Sequence, residues 1–291
     1  MNTQANGLAR APRRPDVDSF SIEARGGLNL SAKTLAVTGG KGGVGKSSIS
    51  ASLATVLAQR GDRVLACDLD FALGNLGVLL GLEPARRVED FFDGIATLEE
   101  CIVPSVGGGE PAFDLLPAGS GTRDLARPDQ GRRRSLLGEL QRISSRYDWI
   151  VFDTAAGIGS DVLEFCLAAT RTLLVATPEP ASLTDAYGVL KALDALAGER
   201  GVSLATPGIF ANRVADPEHA NELAGRISRV AERFLGRSPR LAGWCPESRE
   251  VARATAAQRP FARTKRPSLA SRSIERLAAR YEAELCNGAR V

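Results

Sequence analysis

Histidine is nearly absent from this chain: His219 is the only one in 291 residues. Imidazole acid–base chemistry and histidine-rich metal sites therefore rest on one residue, which follows Asp216-Pro217-Glu218 at a helix-start signal and reads as a surface position. Cysteine is scattered. Cys67, Cys101, Cys166, Cys245 and Cys286 contain no CxxC pair and no neighbouring histidine. That spacing speaks against an electron-transfer or metal-cluster carrier and fits small buried residues. No apolar run reaches the ~18 residues needed to cross a bilayer, and the first residues lack the apolar core of a signal peptide. A cytoplasmic location is expected.

The chain itself is ordinary in composition, 44% hydrophobic and 24% charged, enough for one large α/β domain. The net charge of +3 hides an asymmetry: residues 240–291 hold eleven Arg or Lys against five Asp or Glu, so residues 1–239 are net acidic. A basic C-terminal third suits DNA, an acidic membrane surface or a solvated helix face. Residues 1–30, rich in Arg, Pro, Gly and Ala without periodicity, read as a disordered arm, with one domain over 31–291.

Beyond the arm, apolar runs alternate with helical periodicity. Strands are expected at 34–38, 63–67, 113–116, 149–152, 171–176, 207–211 and 240–243; helices at 46–60, 132–146, 160–169, 182–197, 218–235, 248–257 and 269–286. Continuous runs such as Trp149-Ile150-Val151-Phe152 suit strands covered on both faces. The alternation implies a doubly wound, mainly parallel sheet with helices on both faces, its ligand at the carboxyl ends of the strands. Region 83–112, with Pro84, Pro104 and Gly107-Gly108-Gly109, reads as an irregular excursion with one short helix near Val88 to Phe92.

Gly40-Lys41-Gly42-Gly43-Val44-Gly45-Lys46-Ser47-Ser48 has the form GxxxxGK[ST] with a second lysine near its start. The glycines let backbone N–H groups close around phosphates, while Lys46 and the Ser47 hydroxyl serve phosphate and Mg²⁺. It stands between an apolar strand and a helical pattern, which puts phosphate at a helix N-terminus. Two acidic motifs end later strands. Asp153 is the candidate Mg²⁺ carboxylate, and Asp153-Thr154-Ala155-Ala156-Gly157 offers close backbone approach to a γ-phosphate. Asp70, in Asp68-Leu69-Asp70, is a candidate for orienting attacking water, with Lys46 stabilising the transition state; residues 70–75 read as a switch loop.

These residues, Lys41 with Lys46, Asp68 with Asp70, and Asp153, resemble the MinD/ParA family of P-loop ATPases over about residues 33–285. The resemblance implies ATP and Mg²⁺ as ligands, slow partner-regulated hydrolysis, and a homodimer that sandwiches ATP. Lys41 would then act on the neighbouring subunit's phosphates, Asp70 would position water, and Asn212 would read the adenine edge. Within the family the chain is similar to the FlhG/FleN group of flagellar number and placement regulators, through Gly74 to Gly81, Pro117 to Thr122, Asp153 to Gly159 and Thr184 to Tyr187.

That likeness implies partners such as an FlhF-like SRP-type GTPase, flagellar switch proteins or a transcription regulator. Gln4-Ala5-Asn6-Gly7-Leu8 is similar to the group's GTPase-stimulating motif. The alternative is a positioning or partition ATPase on DNA or the membrane surface. Ile274, Leu277, Ala278, Tyr281 and Leu285 form a narrow stripe on the last helix. It suits either packing on the domain or peripheral contact with the inner face of the membrane.

Overall fold

Alternation of buried residues toward two opposite faces shapes the whole chain. The computed structural model describes residues 30–106, 112–119, 128–263 and 267–287. Its strands are β1 (Lys33–Gly39), β2 (Val64–Leu69), β3 (Val103–Val106), β4 (Phe113–Leu116), β5 (Trp149–Ala156), β6 (Arg171–Ala176), β7 (Gly208–Val214) and β8 (Leu241–Pro246). The helices are α1 (Lys46–Gln59), α2 (Leu76–Leu79), α3 (Val88–Phe92), α4 (Leu98–Cys101), α5 (Gln130–Ile143), α6 (Ser160–Ala168), α7 (Pro180–Arg200), α8 (Pro217–Leu235), α9 (Arg249–Ala256) and α10 (Leu269–Asn287).

The strands form one sheet in the order β3-β4-β2-β5-β1-β6-β7-β8, parallel except for β3, which runs antiparallel to β4 at the edge. Leu35, Val37, Val64, Ala66, Val151, Leu173 and Val175 point to the face covered by α1 and α10. Ala36, Leu65, Cys67, Ile150, Phe152, Leu174 and Ala176 point to the face covered by α5, α6, α7 and α8. Side chains that alternate across a strand thus find apolar cover on both sides, the condition a parallel sheet requires. From β1 the chain first winds to one side, through β2 and β4, then returns at β5 and proceeds to the other side. Ligands of open α/β sheets lie at such a reversal.

The expected elements are present with shifted ends, for local reasons. Helix α5 starts at Gln130 because Asp129 Oδ1 accepts the Arg132 N–H (2.8 Å). Helix α7 opens with Pro180 at its first turn and stops at Gly201, whose φ of 64° is left-handed. Three elements were not expected. Strand β3 carries Pro104 and a left-handed Ser105, and its register with β4 is interrupted. Helices α2 and α4 are four residues each; α2 directly follows the stretch 70–75 read as a switch loop, and α4 lies within the region read as irregular chain.

The stripe on α10 resolves into packing: Ile274, Leu277, Ala278 and Tyr281 are buried in the core beside α1, with Leu285 against it. On the opposite face Glu164 of α6 joins α5 to α7. Its Oε2 accepts from Arg133 Nε (2.5 Å), its Oε1 from Arg200 Nη2, and Arg133 Nη1 also donates to Pro128 O (2.6 Å). Burial alone would push this carboxyl up, but the two guanidiniums hold it below the ordinary range.

The arm at 1–29, with Gln4 to Leu8, lies outside the described residues, as do Ser120, Gly121, Thr122, Lys265 and Arg266. Among the described residues no helix is long and apolar enough to cross a membrane.

Candidate functional site

Strand β1 ends at Gly39 and α1 begins at Lys46, so the intervening turn sits at the carboxyl end of the central strand. Two glycines here are demanded by space. A Cβ on Gly40 would collide with the Asp185 backbone, and one on Gly45, at φ +100°, would collide with Asn212 Nδ2. Gly45 is also the N-cap of α1 and offers no side-chain acceptor, so the first N–H groups of the helix remain open to an anion. Ser47 and Ser48 lie in that first turn.

Lys46 is buried, and burial lowers its pKa while the charges of Asp153 and Asp70 oppose that shift. Those three residues come from α1, β5 and the end of β2, and the structure brings them within electrostatic reach of one another. Asp153 is fully buried; burial pushes its carboxyl up to about 6 against hydrogen bonds from Ser47 and Ser50 and the charge of Lys46. Ser50 Oγ lies 3.0 Å from both Asp153 Oδ1 and the Lys46 carbonyl. Ser50, one helical turn beyond Lys46, escaped the sequence reading; the signal was a small hydroxyl at i+4 from the loop lysine.

Asp68 and Asp153 face each other in register on β2 and β5. Asp68 is completely buried, and desolvation with the neighbouring Asp153 drives its pKa well above the carboxylate range. Its two oxygens accept from Asp70 N (3.2 Å) and Leu76 N (2.9 Å), so one carboxyl holds both ends of the switch loop. Asp70 Oδ1 accepts from Leu73 N (3.0 Å) inside that loop. Both aspartates were expected just beyond their strands. Instead β2 continues through Leu69 and β5 through Ala156, which places Asp68 and Asp153 within the sheet, beside the phosphate loop.

Lys41 turns away from this cluster and pairs with Glu179, at the N-terminus of α7, on the rim of the site. Asn212 lies within β7, not after its end. Its Nδ2 donates to Val44 O (2.7 Å) and its Oδ1 accepts from Arg213 N (3.0 Å). The amide thus braces the phosphate loop from the neighbouring strand. Leu73 and Ile158, in the loops after β2 and β5, are more than half exposed on the same rim.

The oxygen donors fit Mg²⁺. A buried carboxylate linked to the Ser47 hydroxyl supplies hard oxygens, and no group of three or more His, Cys, Asp or Glu suited to a metal occurs among the described residues. A cation here would draw its remaining ligands from phosphate and water, as Mg²⁺ commonly does. Cys67, Cys101, Cys166 and Cys245 are separate, buried and free. His219 is half-buried at the start of α8, and its backbone N–H donates to the Asp216 cap.

Comparison with known proteins gives a family and a fold. A family model described as the CobQ/CobB/MinD/ParA nucleotide binding domain matches residues 35–261. Antiactivator FleN of Pseudomonas aeruginosa is 37% identical over 227 residues, 78% of each chain. Flagellum site-determining protein YlxH of Helicobacter pylori is 33% identical over 232 residues, 80% of this chain and 74% of that one. Among solved structures, septum site-determining protein MinD of Pyrococcus horikoshii, complexed with Mg-ADP, superposes with a TM-score of 0.66 at 23% identity. The match covers 89% of this chain and 99% of that one, a likeness of fold.

Proposed function

The chain belongs to the CobQ/CobB/MinD/ParA family of nucleotide-binding proteins, and on that premise we propose an ATP-driven dimerisation switch that helps set flagellar number and placement. It binds ATP with Mg²⁺ and hydrolyses it. The flagellar assignment rests on the likeness to FleN and YlxH. The observation that carries the switch reading is the division of labour between two lysines: Lys46 is buried within reach of the Asp153 and Asp70 carboxylates of its own chain, while Lys41 stands on the rim.

The substrate's phosphates lie against the open N–H groups of Gly40 to Ser48 and the Lys46 ammonium. Ser47 and, directly or through water, Asp153 would hold Mg²⁺, which would supply charge neutralisation at the phosphate oxygens. Asp70 orients water toward the γ-phosphorus and accepts its proton as the water oxygen bonds to phosphorus; the bond from phosphorus to the bridging oxygen breaks, releasing phosphate and ADP. Lys46 stabilises the charge that develops. A second copy of the chain closes the site: Lys41 exchanges Glu179 for the neighbour's phosphates, and exposed Leu73 and Ile158 become covered.

The working location is the cytoplasm, with peripheral contact at the inner face of the membrane when a partner recruits the dimer. The partners are proteins: an FlhF-like GTPase, flagellar switch components or a transcription regulator. The buried stripe on α10 leaves little apolar surface there for lipid.

Light scattering of the full chain is expected to show monomer with ADP and dimer with saturating ATP. Lys41→Ala should remain monomeric with ATP while binding the nucleotide as tightly as the wild type. A wild-type monomer at saturating ATP would remove the switch.

Asn212 permits a second check. An amide has two donors and two acceptor lone pairs, and only one of each is used on Val44 and Arg213. The spare donor and acceptor match an adenine edge. Asn212→Ala is expected to weaken ATP about fivefold, the equivalent of a lost hydrogen bond of ~1 kcal/mol, and to erase preference over GTP. Equal weakening of both nucleotides with the preference intact would leave Asn212 as a brace alone.

A further inference from the structure

A polar cavity, about 310 Å³ in volume, opens at the pole of the sheet opposite the phosphate loop, where β6, β7 and β8 begin. Three guanidinium-bearing residues line it: Arg171 at the start of β6, Arg240 just before β8, and Arg280 on α10. Their charges are only partly matched. Arg280 Nε donates to Glu284 Oε1 (2.7 Å) and its Nη1 to Leu241 O (2.8 Å). Arg171 Nη1 donates to its neighbour's carbonyl, Thr170 O (2.9 Å), and Arg240 makes no ion pair among the described residues. Three positive charges thus face one carboxylate. Clustered guanidiniums with donors left free are poorly explained as packing and well suited to phosphate oxygens.

An independent feature lies at the floor. Tyr281 is buried, 3% exposed, yet its hydroxyl has no hydrogen-bond partner among the described residues while Tyr281 lines the cavity. A Cβ built on Gly208 would lie 2.8 Å from that hydroxyl, so the bare glycine leaves the phenol its place. That hydroxyl is not among the fully buried, unpartnered polar atoms of the described residues, so it opens into the cavity, where a ligand oxygen can reach it. Ser238 adds a further hydroxyl to the wall.

We infer that this cavity is a binding site for a soluble small molecule carrying a diphosphate, separate from the ATP site. Arg171, Arg240 and the free donors of Arg280 hold the phosphate oxygens, and Tyr281 donates to one of them. The occupant would bridge the outer strands to α10. Its charge calls for two phosphate groups, since a single phosphate dianion would span neither the three guanidiniums nor the volume.

Calorimetry on the full chain, with the phosphate loop first saturated by Mg-ADP, tests this with inorganic pyrophosphate as the probe. One pyrophosphate per chain is expected. Arg171→Ala and Arg240→Ala should each weaken it about tenfold and Tyr281→Phe about fivefold, in line with losing a charged and a neutral hydrogen bond. ATP turnover should be unchanged in all three. Absence of heat with the ADP-saturated wild type, or binding that survives the double arginine variant, would overturn the site. Vesicles bearing a phosphoinositide headgroup form the second arm: sedimentation with them but no binding of pyrophosphate would overturn the assignment to a soluble ligand.

Discussion

Asp70→Ala is expected to slow ATP turnover by about a hundredfold or more, the usual contribution of a group that positions and deprotonates a nucleophile, while the ATP-bound dimer accumulates. The carboxylate sits at the mouth of β2, within electrostatic reach of Lys46, and among the described residues its one hydrogen bond is accepted from Leu73 N within its own loop. Removing it leaves Asp153, the stronger opposing charge on Lys46, in place, and leaves the phosphate loop and the Asp68 clamp intact. Nucleotide affinity should therefore change less than twofold. Phosphate release assays with light scattering on the same samples check both halves. A variant that loses nucleotide binding together with turnover would assign Asp70 to holding the ground state.

The second large effect is on stability and lies on the other face. Glu164→Ala strands the buried Arg133 guanidinium and frees Arg200 at the joint between α5, α6 and α7. Breaking a buried pair from one side typically costs about 3–5 kcal/mol, and in a chain of this size that lowers Tm by roughly 10 °C. The pH dependence has a definite sign. Because the folded Glu164 carboxyl is held below its ordinary range, its contribution is complete at neutral pH and above the unfolded carboxylate pKa. It fades as pH falls through the folded value. The difference in urea midpoint between wild type and Glu164→Ala should thus shrink below about pH 4. A constant difference down to that range would mean that the loss is one of packing. Glu164→Gln should recover part of the hydrogen bonding and none of the pH dependence.

Much of the architecture was legible in the chain because both signals were local. A run such as Leu173-Leu174-Val175-Ala176 can be a doubly covered strand on its own evidence, and the glycine loop carries its phosphate chemistry in its spacing. Strand β3 was illegible because its pairing is long-range and its sequence discourages it: Pro104 removes a donor and Ser105 takes a left-handed turn, with Ser105 N tied to Asp114 Oδ1 (3.1 Å). Helix α2 was hidden for a similar reason. Four residues beginning at Leu76 have no helical period, and the first N–H is satisfied by Asp68, eight positions earlier.

At the site, motif spacing pointed to Lys46, Asp70 and Asp153, but not to the links among them. Ser50 looks like filler in a helix until β5 is placed beside α1. The family resemblance gives Asn212 a base-edge role, yet its contact with Val44 spans 168 positions, which only the sheet can reveal. The last helix shows the converse case. Its stripe fits lipid or protein equally as a pattern, and Gly243 and Phe210 on the adjoining strands provide the surface it packs on.

The Asp68 clamp bears on how fast such a switch can answer its nucleotide. A free loop between two secondary elements samples many shapes, and ordering it costs roughly 1–2 kcal/mol per residue in backbone entropy. Here the segment from Asp70 to Leu76 is stapled at both ends to one buried carboxyl, so most of that disorder is gone before ATP arrives. The loop can swing between a few positions as a closed ring, and the energy of the γ-phosphate goes into choosing a position instead of freezing a chain.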